Sequence, residues 1–114
     1  MKLETKTIKN DWAPGWGWGN GYVKLPKNHP YFGADYNNIP VNVHGGLTFG
    51  EHCDKISVLN EGFWVGFDTC HSGDTSDFWN EEKVQLETEN LRIQLEELAK
   101  PKPQERIIPT QFYS

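Results

Sequence analysis

The chain predicts an α+β fold, an antiparallel β-sheet packed against one long C-terminal α-helix. Apolar and polar residues alternate with period two through Gly21–Leu25, Val41–Phe49 and Phe63–Asp68, as strands with one buried face do. Residues 77 to 100 change to a helical period, and the connections between the strands are rich in Gly, Pro and Asn. At 114 residues, with five Trp, six Phe and four Tyr, the sequence suits one folded domain spanning 1 to 114.

The first eight residues read as a short edge strand. A Gly/Trp-rich loop follows over residues 12 to 21, with Gly at 15, 17, 19 and 21 and Trp at 12, 16 and 18. Its simplest role is a loop pinned over a small core by indole rings; its functional alternative is an aromatic lid that stacks on a ring. The sheet is expected over about residues 21 to 68. Its first central strand, Gly21–Leu25, stops at Pro26, and Pro26 to Asn38 is too punctuated for regular structure. His29, held extended by Pro30, reads as a loop histidine without special chemistry.

Alternation assigns Val23, Leu25, Val41, Val43, Leu47, Phe49, Phe63, Val65 and Phe67 to the core. The opposite faces then carry Tyr22, Lys24, Asn42, His44, Gly46, Trp64 and Asp68. A solvated sheet face favours Lys, Glu and Thr. His, Gly and Trp there instead describe a small-ligand pocket with aromatic walls.

The helix is expected over about residues 77 to 100, capped by Asp77, with Glu81 and Glu82 in the first turns and Pro101 as the stop. Val84, Thr88, Leu91, Leu95 and Leu98 follow a heptad seam, and Leu86 and Ile93 fall nearly opposite it. One stripe covers the sheet, and the second calls for a partner. A homo-oligomer is therefore expected. The tail, residues 101 to 114, reads as extended, and its Ile107, Ile108, Phe112 and Tyr113 suit docking on a neighbouring subunit.

Charge narrows the partners. The net charge is -5, and residues 77 to 100 hold seven acids against three bases. No extended basic stripe is available for a long nucleic acid. No apolar run approaches the ~20 residues needed to span a bilayer, and no signal-peptide core follows Met1, so a cytoplasmic protein is expected. A reducing compartment favours free thiols at Cys53 and Cys70.

Three chemistries fit the polar residues. Metal ligation draws on His44, His52, Cys53, Asp68, Cys70, His71 and Asp74, but His52-Cys53 and Cys70-His71 are adjacent pairs that point to opposite sides of an extended chain. No metal or other cofactor is assigned. Acid–base catalysis would use His44 and His71 as proton carriers oriented by Asp68 and Asp74, cleaving a phosphodiester or glycosidic bond. Ligand binding without turnover is the leading expectation. It uses Tyr22 and Trp64 for stacking, Asn42, His44 and Asp68 for polar edges, and Lys24 for phosphate, in a compact nucleotide-like ligand. Inhibition of a host protein through the Trp-rich loop is the remaining alternative.

Several blocks carry a resemblance. Gly21-Tyr-Val-x-x-Pro26, His29-Pro30, Val43-His-Gly-Gly-Leu-Thr-Phe49 and Trp64-x-Gly-Phe-Asp-x-x-His-x-Gly-Asp74, followed by a Glu-rich helix, resemble a family of small bacteriophage and prophage proteins. The resemblance covers about residues 21 to 98. It implies a phage setting inside a host cell and gives no residue a catalytic role. In that setting it makes capture of a nucleotide-derived immune signal, a cyclic ADP-ribose isomer or a cyclic oligonucleotide, the expected function.

Overall fold

In a computed structural model of the chain, which describes residues 2–11 and 15–101, four strands form one antiparallel sheet. They are β1 (Thr5–Lys9), β2 (Gly19–Leu25), β3 (Phe49–Cys53) and β4 (Gly62–Phe67), in the order β1-β2-β4-β3, and α1 (Glu81–Ala99) follows. The fold is α+β, with its single helix near the C-terminus. The expected tail docking and the start of the Trp-rich loop at residues 12 to 14 lie outside the described residues.

The register places Val23 opposite Val65 and Leu25 opposite Phe63, so the alternation of β2 and β4 builds one apolar face. Helix α1 lies over the β1–β2 half of that face and buries Val84, Thr88, Leu91 and Leu95. Burying a Val or Leu side chain contributes about 1.5–3 kcal/mol, so this seam is a main source of the fold's stability. The helix approaches β2 closely at Gly21, where an added Cβ would meet the Thr88 hydroxyl and, at 2.6 Å, Phe67 Cε1. Asn80, not Asp77, caps α1: its side chain accepts the Lys83 N–H at 2.9 Å. Asp77 belongs to a preceding turn, closed by the Trp79 N–H on Thr75 O, which delays the helix to Glu81.

Residues 41 to 48 do not form the expected strand. The helix takes backbone groups of Asn42 and His44: the Asn42 N–H donates to Gln94 Oε1, Asn42 O accepts from Gln94 Nε2, and the His44 N–H donates to Glu87 Oε2. The segment is tied to the helix at Asn42 and His44 and adds Val43 to the core, while Phe32 packs on His52 and Phe63 and Tyr36 faces Gly50 on the β3–β4 half. The ladder starts only at Phe49, paired with Gly66. Phe49 consequently points away from the expected core and meets Tyr22 edge-on, at a 5.3 Å ring separation, on the other face.

That other face is also covered. The connection 54–61 folds back over it: Trp64 Nε1 donates to Asn60 O at 2.9 Å, and Lys6 Nζ donates to Val58 O at 2.8 Å. Trp64 is 0% exposed. His29 is a buried structural residue. Its Nδ1 accepts from Tyr31 N, which makes Nε2 the nitrogen that donates to Leu95 O at 2.8 Å. Among the described residues no helix is long and apolar enough to cross a membrane.

Candidate functional site

Two short segments build the site. The first is the turn at His44-Gly45, closed by the Gly46 N–H on Val43 O and tethered to α1 through Glu87. The second is the connection Asp68 to Asp74 after β4. Asp68 Oδ1 accepts the Cys70 N–H at 3.0 Å, and Asp74 Oδ2 accepts the His71 N–H at 2.9 Å, so each carboxylate fastens the backbone that follows or precedes it. Spacing of Asp-x-x-His-x-x-Asp thereby holds both aspartates and His71 in one tight loop.

The two segments meet through side chains. His44 Nε2 lies 2.9 Å from both oxygens of Asp74, and no hydrogen bond engages His44 Nδ1 among the described residues. The His44 and His71 rings meet edge to face at 5.4 Å, and Trp79 lies over His44 at 4.2 Å. Asp68 Oδ1 approaches His71 Nε2 to 3.1 Å. That contact lacks hydrogen-bond geometry, so His71 Nε2 is buried without a partner. Gly45 makes room for the His71 ring. An added Cβ would overlap Nε2 and stand 2.6 Å from Cδ2 and 2.7 Å from Cε1.

Asp74 is the most buried of the four carboxylate and imidazole groups, and His44 and His71 are about a quarter and a third exposed. Burial pushes the Asp74 carboxyl upward, but the His44 hydrogen bond, the His71 amide and the charges of both imidazoles outweigh it and hold it below the ordinary carboxylate range. Burial, then Asp68 and Asp74, push the Cys70 thiol pKa up against the opposing Asn10 hydrogen bond, so the protonated form prevails at neutral pH. Tyr22 is likewise held protonated, chiefly by burial and further by Asp68, against the Asn20 hydrogen bond.

The structure therefore joins His44, Asp68, His71 and Asp74, and divides the expected ligand pocket. Tyr22, Lys24 and Trp64 share the far face of the sheet, where the buried Trp64 offers no surface for stacking. Asn42 is held by α1 through its backbone N–H and C=O, both bonded to Gln94, on the opposite side of the sheet from Trp64. His44 and Asp68 belong to the acid–base set as well. Alternation failed here because residues 41 to 48 are not a strand, so Asn42 and His44 never shared a face with Trp64.

Three contributors escaped the sequence reading. Gly45 is marked only as half of a Gly-Gly turn, Trp79 only by its place just ahead of the helix cap, and Glu87 by nothing local, since its role depends on tertiary packing. Cys53 ends β3 at one edge of the sheet and Cys70 follows β4 at the other end; both thiols are free. No group of three or more His, Cys, Asp or Glu side chains among the described residues has an arrangement suited to a metal ion. Comparison of the chain with protein-family models, with curated proteins and with solved structures finds no match, so the reading of this site rests on its own geometry.

Proposed function

We propose that His44 and Asp74, with His71 and Asp68 beside them, form an acid–base centre that cleaves a glycosidic bond in a small nucleotide-derived molecule. The supporting observation is the contact of His44 Nε2 with both Asp74 oxygens, which orients the ring and leaves Nδ1 as the free nitrogen. In the reaction, Nδ1 takes a proton from water while the water oxygen bonds to the anomeric carbon. The breaking glycosidic bond's electron pair goes to the leaving group, which His71 protonates from Nδ1, its Nε2 being buried against Gly45. General acid–base catalysis of this kind contributes roughly 10²–10⁴-fold.

Charge selects the glycosidic over the phosphodiester alternative. Asp68, Asp74 and Glu87 stand at or beside the centre, and among the described residues no Lys or Arg forms an ion pair or hydrogen bond with them. A phosphodiester would develop further negative charge among carboxylates, with no cation to receive it.

Capture without turnover is the second reading, that of a phage anti-defence protein removing a nucleotide immune signal from the host cytoplasm. It is supported by a hollow lined by Lys24, Lys27 and aromatic rings at the other end of the sheet. A homo-oligomer belongs to both readings: Leu86 and Ile93 are 63% and 52% exposed, one stripe on the helix face away from the core. Sedimentation equilibrium of wild type against Leu86→Lys/Ile93→Lys tests it, and a wild-type monomer removes it.

To separate the two readings, purified protein is incubated with cyclic ADP-ribose isomers and cyclic oligonucleotides, free ligand is filtered off, and filtrate and heat-released fractions are weighed by mass spectrometry. A cleaved product that disappears in His44→Ala supports the acid–base centre. Depletion with intact recovery after heating refutes it and supports capture, and an untouched panel refutes both for these molecules.

A further inference from the structure

At the end of the sheet opposite His44 and Asp74, the last residues of β2 and β3 and the first of β4 border an open hollow of about 700 Å³. Small-molecule sites occupy roughly 300–1,000 Å³, so a nucleotide fits. Its wall is aromatic. Phe32, His52 and Phe63 pack as a cluster, with ring separations of 5.4 Å (Phe32–His52), 4.9 Å (His52–Phe63) and 5.6 Å (Phe32–Phe63). Phe63 is buried, while His52 is exposed and Phe32 half-buried, so the outer two rings are the ones a ligand can reach.

Cations and carboxylates border the same hollow. Lys24 and Lys27 come from the end of β2 and the turn after it, Asp54 and Glu61 from the β3–β4 connection. Lys24 is laid across the start of β4 because residue 62 is glycine: a Cβ there would overlap Lys24 Cε and come within 3.1 Å of Cδ and 3.2 Å of Nζ. Neither Asp54 nor Glu61 forms an ion pair with either lysine, and Lys24 Nζ has only a loose 3.9 Å contact with Glu4. The two signs are thus available separately to a ligand.

We propose that this hollow binds a nucleoside monophosphate, with its base against His52 and Phe32, its phosphate on Lys24 and Lys27, and its ribose hydroxyls donating to Asp54 or Glu61. Phosphate alone would gain the lysines but meet the carboxylates, and a nucleoside alone would leave the lysines unused. Only a molecule carrying rings, hydroxyl donors and an anion uses all three sets. The inference rests on the capture reading for its ligand class and not on the chemistry at His44.

The test is an amide NMR titration of the full chain with AMP, and with adenosine and inorganic phosphate as fragments. The expected result is that AMP shifts the amides of Lys24, Lys27, Phe32, Asp54 and Gly62, while each fragment binds at least about tenfold more weakly. Replacing Lys24→Ala/Lys27→Ala weakens AMP by at least about tenfold, since charge-assisted contacts are lost. Exposed Lys27→Ala alone serves as a variant whose fold is not at risk. Absence of shifts at millimolar AMP, shifts confined elsewhere, or equal binding by the lysine variants overturns the proposal. AMP binding here with no captured signal keeps the site and removes the capture reading; capture insensitive to Lys24 and Lys27 keeps that reading and removes this site.

Discussion

Adding one methyl group at Gly45 tests whether His71 is held where the site needs it. Gly45 has φ +69°, and an L-residue there costs about 1–2 kcal/mol. The new Cβ also stands 2.6 and 2.7 Å from two His71 ring carbons, closer still to Nε2, where ordinary contact is about 3.5–4.0 Å. The ring must retreat by about 1 Å, and such overpacking costs about 1–3 kcal/mol. Gly46 supplies the control. Its φ is +77° and nothing lies within 4 Å of an added Cβ, so Gly46→Ala bears the backbone cost alone. Gly45→Ala is therefore expected to lose about 2–5 kcal/mol and Gly46→Ala about 1–2 kcal/mol. Urea unfolding of both, with the slope checked for constancy, measures the difference. Equal losses would refute the packing of His71 on Gly45, and with it the meeting of the two site segments.

Trp64→Ala is expected to cost about 3–5 kcal/mol by thermal or urea unfolding, because the ring is wholly buried and Asn60 O loses its donor; a near-neutral result would return Trp64 to a binding surface. Asn80→Ala should cost about 1 kcal/mol through the lost helix cap while Asp77→Ala stays within about 0.5 kcal/mol, and the reverse order would place the cap at Asp77. Asp74 gives the pH dependence. Its native carboxyl lies below the ordinary range, so its contribution is fully present above the unfolded value of about 3.9 and is lost as pH falls through the lowered native value. Asp74→Asn should flatten that acid limb of the stability curve, and an unchanged limb would contradict the assigned contacts.

Wherever burial follows from local period, the fold was legible. Val23, Leu25, Phe63, Val65 and Phe67 share a face because β2 and β4 are regular, and Val84, Thr88, Leu91 and Leu95 because α1 is. Residues 41 to 48 broke the rule, since a strand-like pattern says nothing about which partner takes the backbone hydrogen bonds, and here helix side chains take those of Asn42 and His44. The same tertiary choice split the expected pocket. The Asp-x-x-His-x-x-Asp motif survived because its loop is closed by its own carboxylates, while the arrival of His44 beside it required the packing of α1. Trp64 shows the limit of reading faces by polarity: a sheet's second face is not open when a connection folds across it.

For an acid–base centre, Asp74 must fix one tautomer of His44 and leave Nδ1 as the base. Long-range proton–nitrogen NMR of the imidazoles near pH 8, where the ordinary imidazole is neutral, reads this directly. The expected result is a protonated Nε2 and an unprotonated Nδ1 for His44 in the wild type, with that preference lost in Asp74→Asn. A His44 ring protonated at Nδ1, or a tautomer balance unchanged by Asp74→Asn, would contradict it.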